Sequence, residues 1–280
     1  NQIYLNFGSD SAIENTFKIF TSKNTKIIHT DPSFAMYNVY SQIYRTKTHL
    51  IKYKYLINDT IQFDFNALIK KIKSSNIKII FLPNSDSPTG SYLDHDKINF
   101  ILNIAKKNET IVFIDETYYP FFKETSIKQI NKFKNLIIAR SFSKSWGLAG
   151  LRVGYLLGSP NIIDYYHRSK PMYETSNFAV NFLNILFNDL NKFNESVDRL
   201  LRGKKYFESE MKRIGFPIIK TEGNFSYVNF LKKSKIIHKN LSKFVIYRTN
   251  SKFDLLKNYS RFSSLNIATF KKIIGIIKNS

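Results

Sequence analysis

Apolar positions along this chain fall into short runs separated by stretches with a helical beat. "QIYLNF" (2–7), "TKIIHT" (25–30), "HLIKYKYL" (49–56), "IKIIFL" (77–82), "TIVFID" (110–115), "NLIIAR" (135–140) and "RVGYLLG" (152–158) read as strands, rich in β-branched and aromatic residues. Several are near-continuous apolar runs, the pattern of strands covered on both faces. Between them, residues 10–20, 35–45, 64–73 and 94–107 repeat their apolar positions at helical spacing. Strand–helix alternation of this kind predicts an α/β layer fold around a mostly parallel sheet of seven strands. Beyond residue 160 the rhythm changes. A long helical zone over 161–214 is followed by Pro217, by strands expected at 226–231, 243–249 and 259–265, and by a final helix. The division expected is a large domain over 1–190 and a small α+β domain over 191–280.

Length and composition agree with that picture. A chain of 280 residues, 43% hydrophobic with 25 Phe and 17 Tyr, can bury a large core. The absence of cysteine excludes disulfides, thiolate metal sites and a cysteine nucleophile, and fits a reducing, cytoplasmic setting. A formal charge of +22 raises nucleic acid, membrane surfaces or acidic ligands as partners. Its lysines are spread along the whole chain, however, and the richest run, "KKSKIIHKNLSK" (232–243), alternates charge with apolar residues as a solvated helix face does. Neither nucleic acid nor membrane is therefore expected as a partner, and no apolar run reaches the ~18 residues of a spanning helix. The first residues show no signal-peptide pattern and no initiator Met, and "NQIYLNF" reads as strand from the start, so sequence N-terminal to it is expected.

Four stretches carry candidate chemistry, and each has an ordinary alternative. In "FGSDSAIENTF" (7–17) a strand ends, Gly8 turns, Ser9 or Asp10 can cap, and a helix starts. Its free N–H groups would cradle a phosphate, or it is a plain helix cap. "PNSDSPTG" (83–90) is a loop of turn formers directly after a strand. In "IVFIDETYYPF" (111–122) Asp115 ends a buried strand, where a carboxylate is costly without a partner, and Tyr118 follows on the loop. The alternative is that Asp115 caps a turn. Last, "SFSKSWGLAGLRVGY" (141–155) delivers Ser141, Ser143 and Lys144 to the same sheet edge, with Arg152 opening the next strand. Alone, Lys144 would be one more surface lysine. Together the four stretches assemble a phosphate cradle, a carboxylate, a phenol, an amine and an arginine where parallel sheets bind ligands, outside the carboxyl ends of their strands.

That ordered set resembles the fold-type I pyridoxal-phosphate enzymes of aminotransferase class I/II, in particular the histidinol-phosphate aminotransferase-like group. The resemblance runs from Gly8 to the last helix, and its most specific part is Ser-Phe-Ser-Lys followed by Gly-Leu-Ala-Gly-Leu-Arg-Val-Gly-Tyr. It implies a three-layer large domain, a small C-terminal domain, pyridoxal 5′-phosphate as cofactor, small-molecule amino acid and keto or aldehyde substrates, a homodimer, and ping-pong amino-group transfer. Carried over by residue, Lys144 would form the Schiff base and move the proton at the substrate's Cα. Asp115 would pair with the ring nitrogen, and Tyr118 with the phenolic oxygen. Gly8, Ser9, Asp10, Ser141, Ser143 and Arg152 would hold the phosphate. Phe34, in "DPSFAMY" (31–37), would stack on the ring, and Arg261, in "YSRFSSL" (259–265), would grip an acidic group of the substrate. Ser87 stands where the family usually has Asn, with Asn84 or Asp86 nearby to compensate. Two other readings stay open: a decarboxylase of the same family, of the threonine-phosphate type, and a non-catalytic basic binding protein on this scaffold. No metal site is expected. "DHD" (94–96) reads as a helix cap, and "RLLRGKK" (199–205) as the polar face of a helix.

Overall fold

All seven strands expected in the first part of the chain are present, with an eighth beside them. In the computed structural model, which describes residues 1–249 and 251–280, this part of the chain runs β1 (Ile3–Asn6), α1 (Ser9–Phe20), β2 (Lys26–Asp31), α2 (Met36–Ile43), β3 (Lys47–Ile57), β4 (Thr60–Phe63), α3 (Phe65–Ser74), β5 (Ile79–Pro83), α4 (His95–Lys107), β6 (Ile111–Asp115), β7 (Leu136–Ser141), β8 (Gly154–Gly158), α5 (Pro160–Ser169) and α6 (Asn177–Leu186). The remainder is α7 (Leu190–Arg213), β9 (Ile218–Ile219), β10 (Phe225–Val228), α8 (Ser234–Leu241), β11 (Ser260–Ser263) and α9 (Ile267–Lys278), with short 3₁₀ turns between elements. Packing divides the chain into two units, Asn1–Tyr53 with Phe63–Asn188, and Lys54–Gln62 with Asp189–Ser280.

The large sheet has the order β1-β8-β7-β6-β5-β2-β3-β4. Its pairs β3/β2, β2/β5, β5/β6 and β6/β7 are parallel, and β7/β8 and β8/β1 are antiparallel. The central strands β5, β6 and β7 are buried on both faces, which is why their sequences read as near-continuous apolar runs, whereas β3 leaves many of its residues exposed. On one face Ile13 and Phe17 of α1, Tyr37 and Tyr40 of α2 and Ile163 and Tyr166 of α5 pack over Ile79, Phe81 and Phe113. On the other, Leu68 and Ile72 of α3 and Ile98, Ile101 and Leu102 of α4 pack over Ile80, Val112 and Ile138. Burying such a side chain fully contributes about 1.5–3 kcal/mol. Since β2, β5, β6 and β7 run the same way, their carboxyl ends share one edge, and the loops that follow them converge there.

Four details depart from the sequence reading. The eighth strand, β4, follows β3 through Asn58 and Asp59, both at positive φ (51° and 62°), residue types that tolerate the left-handed region of a tight turn. The helical zone over 161–214 is interrupted between α5 and α6, because Pro171 holds Lys170 extended (ψ 147°). The stretch 243–249 is not a strand. Only Arg248 bridges to Arg261, while Phe244 and Ile246 point into solvent and find no sheet to join. Arg152 does not open β8 either. It sits at φ 52° after a 3₁₀ turn over Ala149–Leu151, and the strand starts at Gly154.

In the second unit β9, β10 and β11 form a sheet in the order β11-β10-β9, with antiparallel pairing throughout. Phe207 and Met211 of α7, Ile237 and Leu241 of α8 and Phe270 and Ile274 of α9 close its core against Val228 and Phe262. The lysine-rich run forms α8 as expected, burying Ile237 and Leu241 and turning its charges outward.

Gly154 makes the meeting of β1, β7 and β8 possible. A Cβ there would lie 2.7 Å from the Arg140 carbonyl oxygen, 2.9 Å from Asn6 Oδ1 and 3.0 Å from the Gly8 carbonyl carbon. Backbone cannot yield as a flexible side chain does. Gly154→Ala is therefore expected to destabilise the first unit by about 1–3 kcal/mol, the usual cost of overpacking, read as a lower midpoint in urea denaturation.

Candidate active site

The apolar run Ile111–Ile114 carries Asp115 to the carboxyl edge of the sheet, where it is 7% exposed. Its Oδ1 accepts from the Thr117 backbone N–H (2.9 Å) and from the Thr117 hydroxyl, and its Oδ2 accepts from the Tyr37 hydroxyl (3.1 Å). Burial pushes this carboxyl above its ordinary value; the Thr117 and Tyr37 donors and the charge of Lys144 pull the other way without cancelling it. Among the described residues Asp115 has no ion-pair partner, so a cation brought to this edge would relieve it.

The neighbouring residue pair fixes the loop beyond β6. Arg140 Nε and Nη2 both donate to Glu116 Oε2 (3.1 and 2.8 Å), and Glu116 Oε1 accepts from the Ser126 N–H (2.7 Å). The Arg140 guanidinium lies 3.7 Å from the Tyr119 ring centre, and the Ser145 hydroxyl donates to the Tyr119 carbonyl (2.9 Å). These contacts tie the loop bearing Tyr118 to the loop bearing Lys144. The Lys144 side chain is solvent-exposed, with Nζ 5.7 Å from the Tyr118 ring centre. Ser141 ends β7, and its hydroxyl accepts from the Ser143 N–H (3.1 Å).

A second group of residues gathers at the start of α1. The N-cap is Gly8 at φ 91°, not Ser9 or Asp10, and no side chain caps the helix. Asp10 instead accepts from the Tyr40 hydroxyl (3.3 Å). Arg152 lies across the turn, with Nη2 donating to the Phe7 carbonyl (3.3 Å) and Nη1 to the Ala149 carbonyl (3.2 Å). A Cβ on Gly8 would sit 3.0 Å from Arg152 Nη2. Uncapped N–H groups, a helix N-terminus and a guanidinium at one bare turn suit an anion.

Phe34 is 40% exposed and meets Tyr37 edge-on, with ring centres 6.3 Å apart. Ser87 lies half-buried on the loop after β5. The two residues considered as compensating for it are committed elsewhere. Asn84 exchanges hydrogen bonds with the Leu93 backbone (2.8 and 3.1 Å), and Asp86, fully buried, accepts from Ser33 (2.9 Å) and Thr30 (3.3 Å) and hydrogen-bonds Tyr53. Arg261 belongs to the second unit, where its guanidinium stacks 3.9 Å from the Phe225 ring centre. Its backbone pairs with Arg248 in both directions (2.8 and 3.1 Å), so two arginines stand opposite each other. A separate cleft of about 940 Å³ within that unit is lined by Phe216, Phe230 and several lysines, and by none of the residues above. Sequence reasoning missed Thr117, Tyr37 and the Glu116–Arg140 pair. Thr117 was findable as a turn donor two residues after Asp115; the others join residues from different elements.

Residues 1–277 match the model of the family Aminotransferase class I and II. The chain belongs to the class I and II aminotransferases. It is 31% identical over 263 residues to histidinol-phosphate aminotransferase of Thermoanaerobacter sp. (strain X514), covering 93% of this chain and 72% of that protein. It is also 31% identical over 285 residues to the enzyme of the same name from Buchnera aphidicola subsp. Cinara cedri, covering 99% and 78%. The crystal structure of histidinol-phosphate aminotransferase from Clostridium acetobutylicum superposes with a TM-score of 0.86 at 21% identity, covering 99% of this chain and 83% of that one. L-threonine-O-3-phosphate decarboxylase from Porphyromonas gingivalis gives 0.80 at 21% identity, with the same coverage. At such identities the two structures establish the shared fold.

Pyridoxal 5′-phosphate is the cofactor of this aminotransferase family, and the residues present fit it. The bare turn at Gly8 beside Arg152 suits a phosphate, and the buried Asp115 carboxylate without a cation suits a protonated ring nitrogen.

Burial raises the Asp86 carboxyl from its ordinary 3.8 to about 7, outweighing the donors from Tyr53, Ser33, Thr30 and the Ser87 backbone. An acid raised in the folded state keeps its proton there while the unfolded chain releases it, so its effect is to lower stability as pH rises from about 4 to about 7. Asp86→Asn has no proton to lose. Relative to the parent protein, this variant should gain stability between pH 4 and pH 8 by an amount on the order of a few kcal/mol, measured by urea denaturation at both pH values.

Proposed function

We propose that this aminotransferase transfers an amino group between an amino acid or amine carrying a phosphate or other acidic group and a keto acid, as a histidinol-phosphate aminotransferase-like enzyme. The observation that carries the substrate class is the facing pair Arg248 and Arg261. Two guanidiniums on adjacent backbone segments offer the planar forks that bind a dianion. The division of labour follows the chain, with the cofactor held by residues 1–190 and the substrate's acidic group by residues 191–280.

Within the first unit each residue has a stated task. The N–H groups at Gly8, Ser9 and Asp10, the hydroxyls of Ser141 and Ser143, and Arg152 hold the phosphate. Asp115 keeps the ring nitrogen protonated. Tyr118 and Ser87 donate to the phenolic oxygen, and Phe34 covers one face of the ring. Bound there, the cofactor supplies an electron sink for charge developing at the substrate's Cα. Lys144 Nζ takes the proton from Cα and returns it, as general base and then general acid. A decarboxylase would use the same residues and differ in which bond at Cα is aligned for cleavage.

The assembly is proposed to be a homodimer acting in the cytoplasm on small molecules. Helix α6 supports the dimer. Its inner face sets Ala179 and Leu183 against Phe142 and Val153, directly behind the Lys144 loop. Its outer face leaves Phe178, Phe182 and Ile185 in solvent, next to Met172 and Tyr173, which are 82% and 88% exposed. A helix apolar on both sides needs a partner on each.

Two tests follow. Protein loaded with pyridoxal phosphate should absorb in the visible and, with histidinol phosphate as donor, convert a keto acid to its amino acid; Lys144→Ala should lower turnover by about a thousandfold or more, the upper range of general acid–base catalysis. Carbon dioxide release without transfer of the amino group would favour the decarboxylase, and a protein that never takes up the cofactor would favour the basic binding protein. For the dimer, light scattering should give twice the 32.8 kDa chain mass, and Phe178→Asp should shift the protein to monomer.

A further inference from the structure

Asp115 is held by one residue that the reaction itself does not call for. Tyr37 is fully buried at the start of α2, and its hydroxyl is 3.1 Å from Asp115 Oδ2. Thr117 occupies only Oδ1, so Tyr37 alone of the described hydrogen-bond donors holds the second oxygen. The Tyr37 ring is clamped. His29 stacks on it with ring centres 5.8 Å apart, Phe81 packs at 5.3 Å, and Phe34 abuts its edge. The Tyr37 N–H also donates to the Phe34 carbonyl (3.1 Å). One side chain therefore joins the residue proposed to stack on the cofactor ring to the carboxylate proposed to meet its nitrogen.

The charged surroundings keep this phenol a donor. The acids that act on it are Asp115 and Asp86; Lys144 bears on Asp115 from the loop after β7, and His29, whose imidazole burial holds below its ordinary value, faces it uncharged near neutral pH. Burial first, then the two carboxyls, hold the Tyr37 hydroxyl well above its ordinary value. A donor that never ionises favours the carboxylate form of Asp115 and fixes the direction of its remaining lone pairs.

We propose that Tyr37 is a positioning residue for the cofactor's ring nitrogen, acting through the Tyr37 hydroxyl to Asp115 Oδ2 hydrogen bond. This rests on the cofactor reading given above. The consequence concerns the proton on the nitrogen that links Lys144 to the cofactor. A positively charged ring nitrogen repels that proton electrostatically. Weakening Asp115's hold on the ring proton should make the linking nitrogen keep its own proton to higher pH.

The test is a pH titration of the visible absorbance of cofactor-loaded protein, together with the cofactor's dissociation constant. Tyr37→Phe should raise the absorbance midpoint by about half a unit to one unit and weaken cofactor binding by about tenfold, the scale of one hydrogen bond to a charged group. Tyr166→Phe is the matched control: it removes an equally buried hydroxyl, bonded to Thr16 (2.7 Å), that does not contact Asp115. It should leave both readings at parent values. Incorporating 3-fluorotyrosine at position 37, a stronger donor that keeps the ring and hydroxyl, should lower the midpoint, and it decides the matter if Tyr37→Phe does not fold. Equal readings for Tyr37→Phe and Tyr166→Phe, or a fluorotyrosine shift in the same direction as Tyr37→Phe, would overturn the role of Tyr37. Parent protein that gains no visible absorbance would overturn the cofactor reading, and this inference with it.

Discussion

The site is organised around a carboxylate that is almost fully buried. Asp115 ends a strand buried on both faces, and burial works against its charge throughout. Thr117 and Tyr37 fill its two oxygens, yet no cation pairs with it among the described residues. Donors alone leave the group above its ordinary value, so a positive charge brought to it would stabilise its ionised form. On the reading proposed above, the cation that would complete Asp115 is the cofactor's ring nitrogen, so stabilisation and function would meet in one group.

Around that carboxylate the sheet edge is held by contacts that are themselves buried. The Glu116–Arg140 pair spans the ends of β6 and β7, and Thr125, Ser126 and Tyr119 occupy its remaining faces. Losing one partner of such a pair strands the other charge, which makes the arrangement rigid as well as stable. On the far side Gly154 lets β8 lie between β1 and β7, close to the Arg140 carbonyl, Asn6 and the Gly8 backbone. The Asp115 carboxylate and the Gly8 turn thereby share one edge of the sheet by backbone geometry, with side-chain chemistry added on top.

The high positive charge plays a smaller part than its size suggests. The lysines are spread over helices, strands and loops; in α8 the apolar positions turn inward and the charges outward. The basic groups that matter are few and are distinguished by their neighbours. Arg140 is buried against an acid, Arg152 crosses a bare helix start, Lys144 sits beside Tyr118, and Arg248 opposes Arg261. Net charge describes the surface; placement on the sheet edge and in the small sheet sets these groups apart from it.

Much of this was legible in the sequence because strand and helix periods are local. Apolar runs located all seven expected strands of the large sheet, and turn residues after them marked where its strands end. The Ser-Phe-Ser-Lys stretch singled out Lys144 among many lysines because small residues and an arginine follow it in register. β4 was missed because its turn depends on two residues at positive φ, a backbone choice that composition only permits. The stretch 243–249 was misread because a strand exists only when a neighbour accepts its hydrogen bonds. Sequence alone thus determined the strands and the strand ends at which the candidate residues stand. Tertiary structure alone decided their partners: Tyr37 to Asp115, Arg140 to Glu116, Asp86 among its hydroxyls. Those pairings join elements distant along the chain, and they arise from packing, which no local pattern encodes.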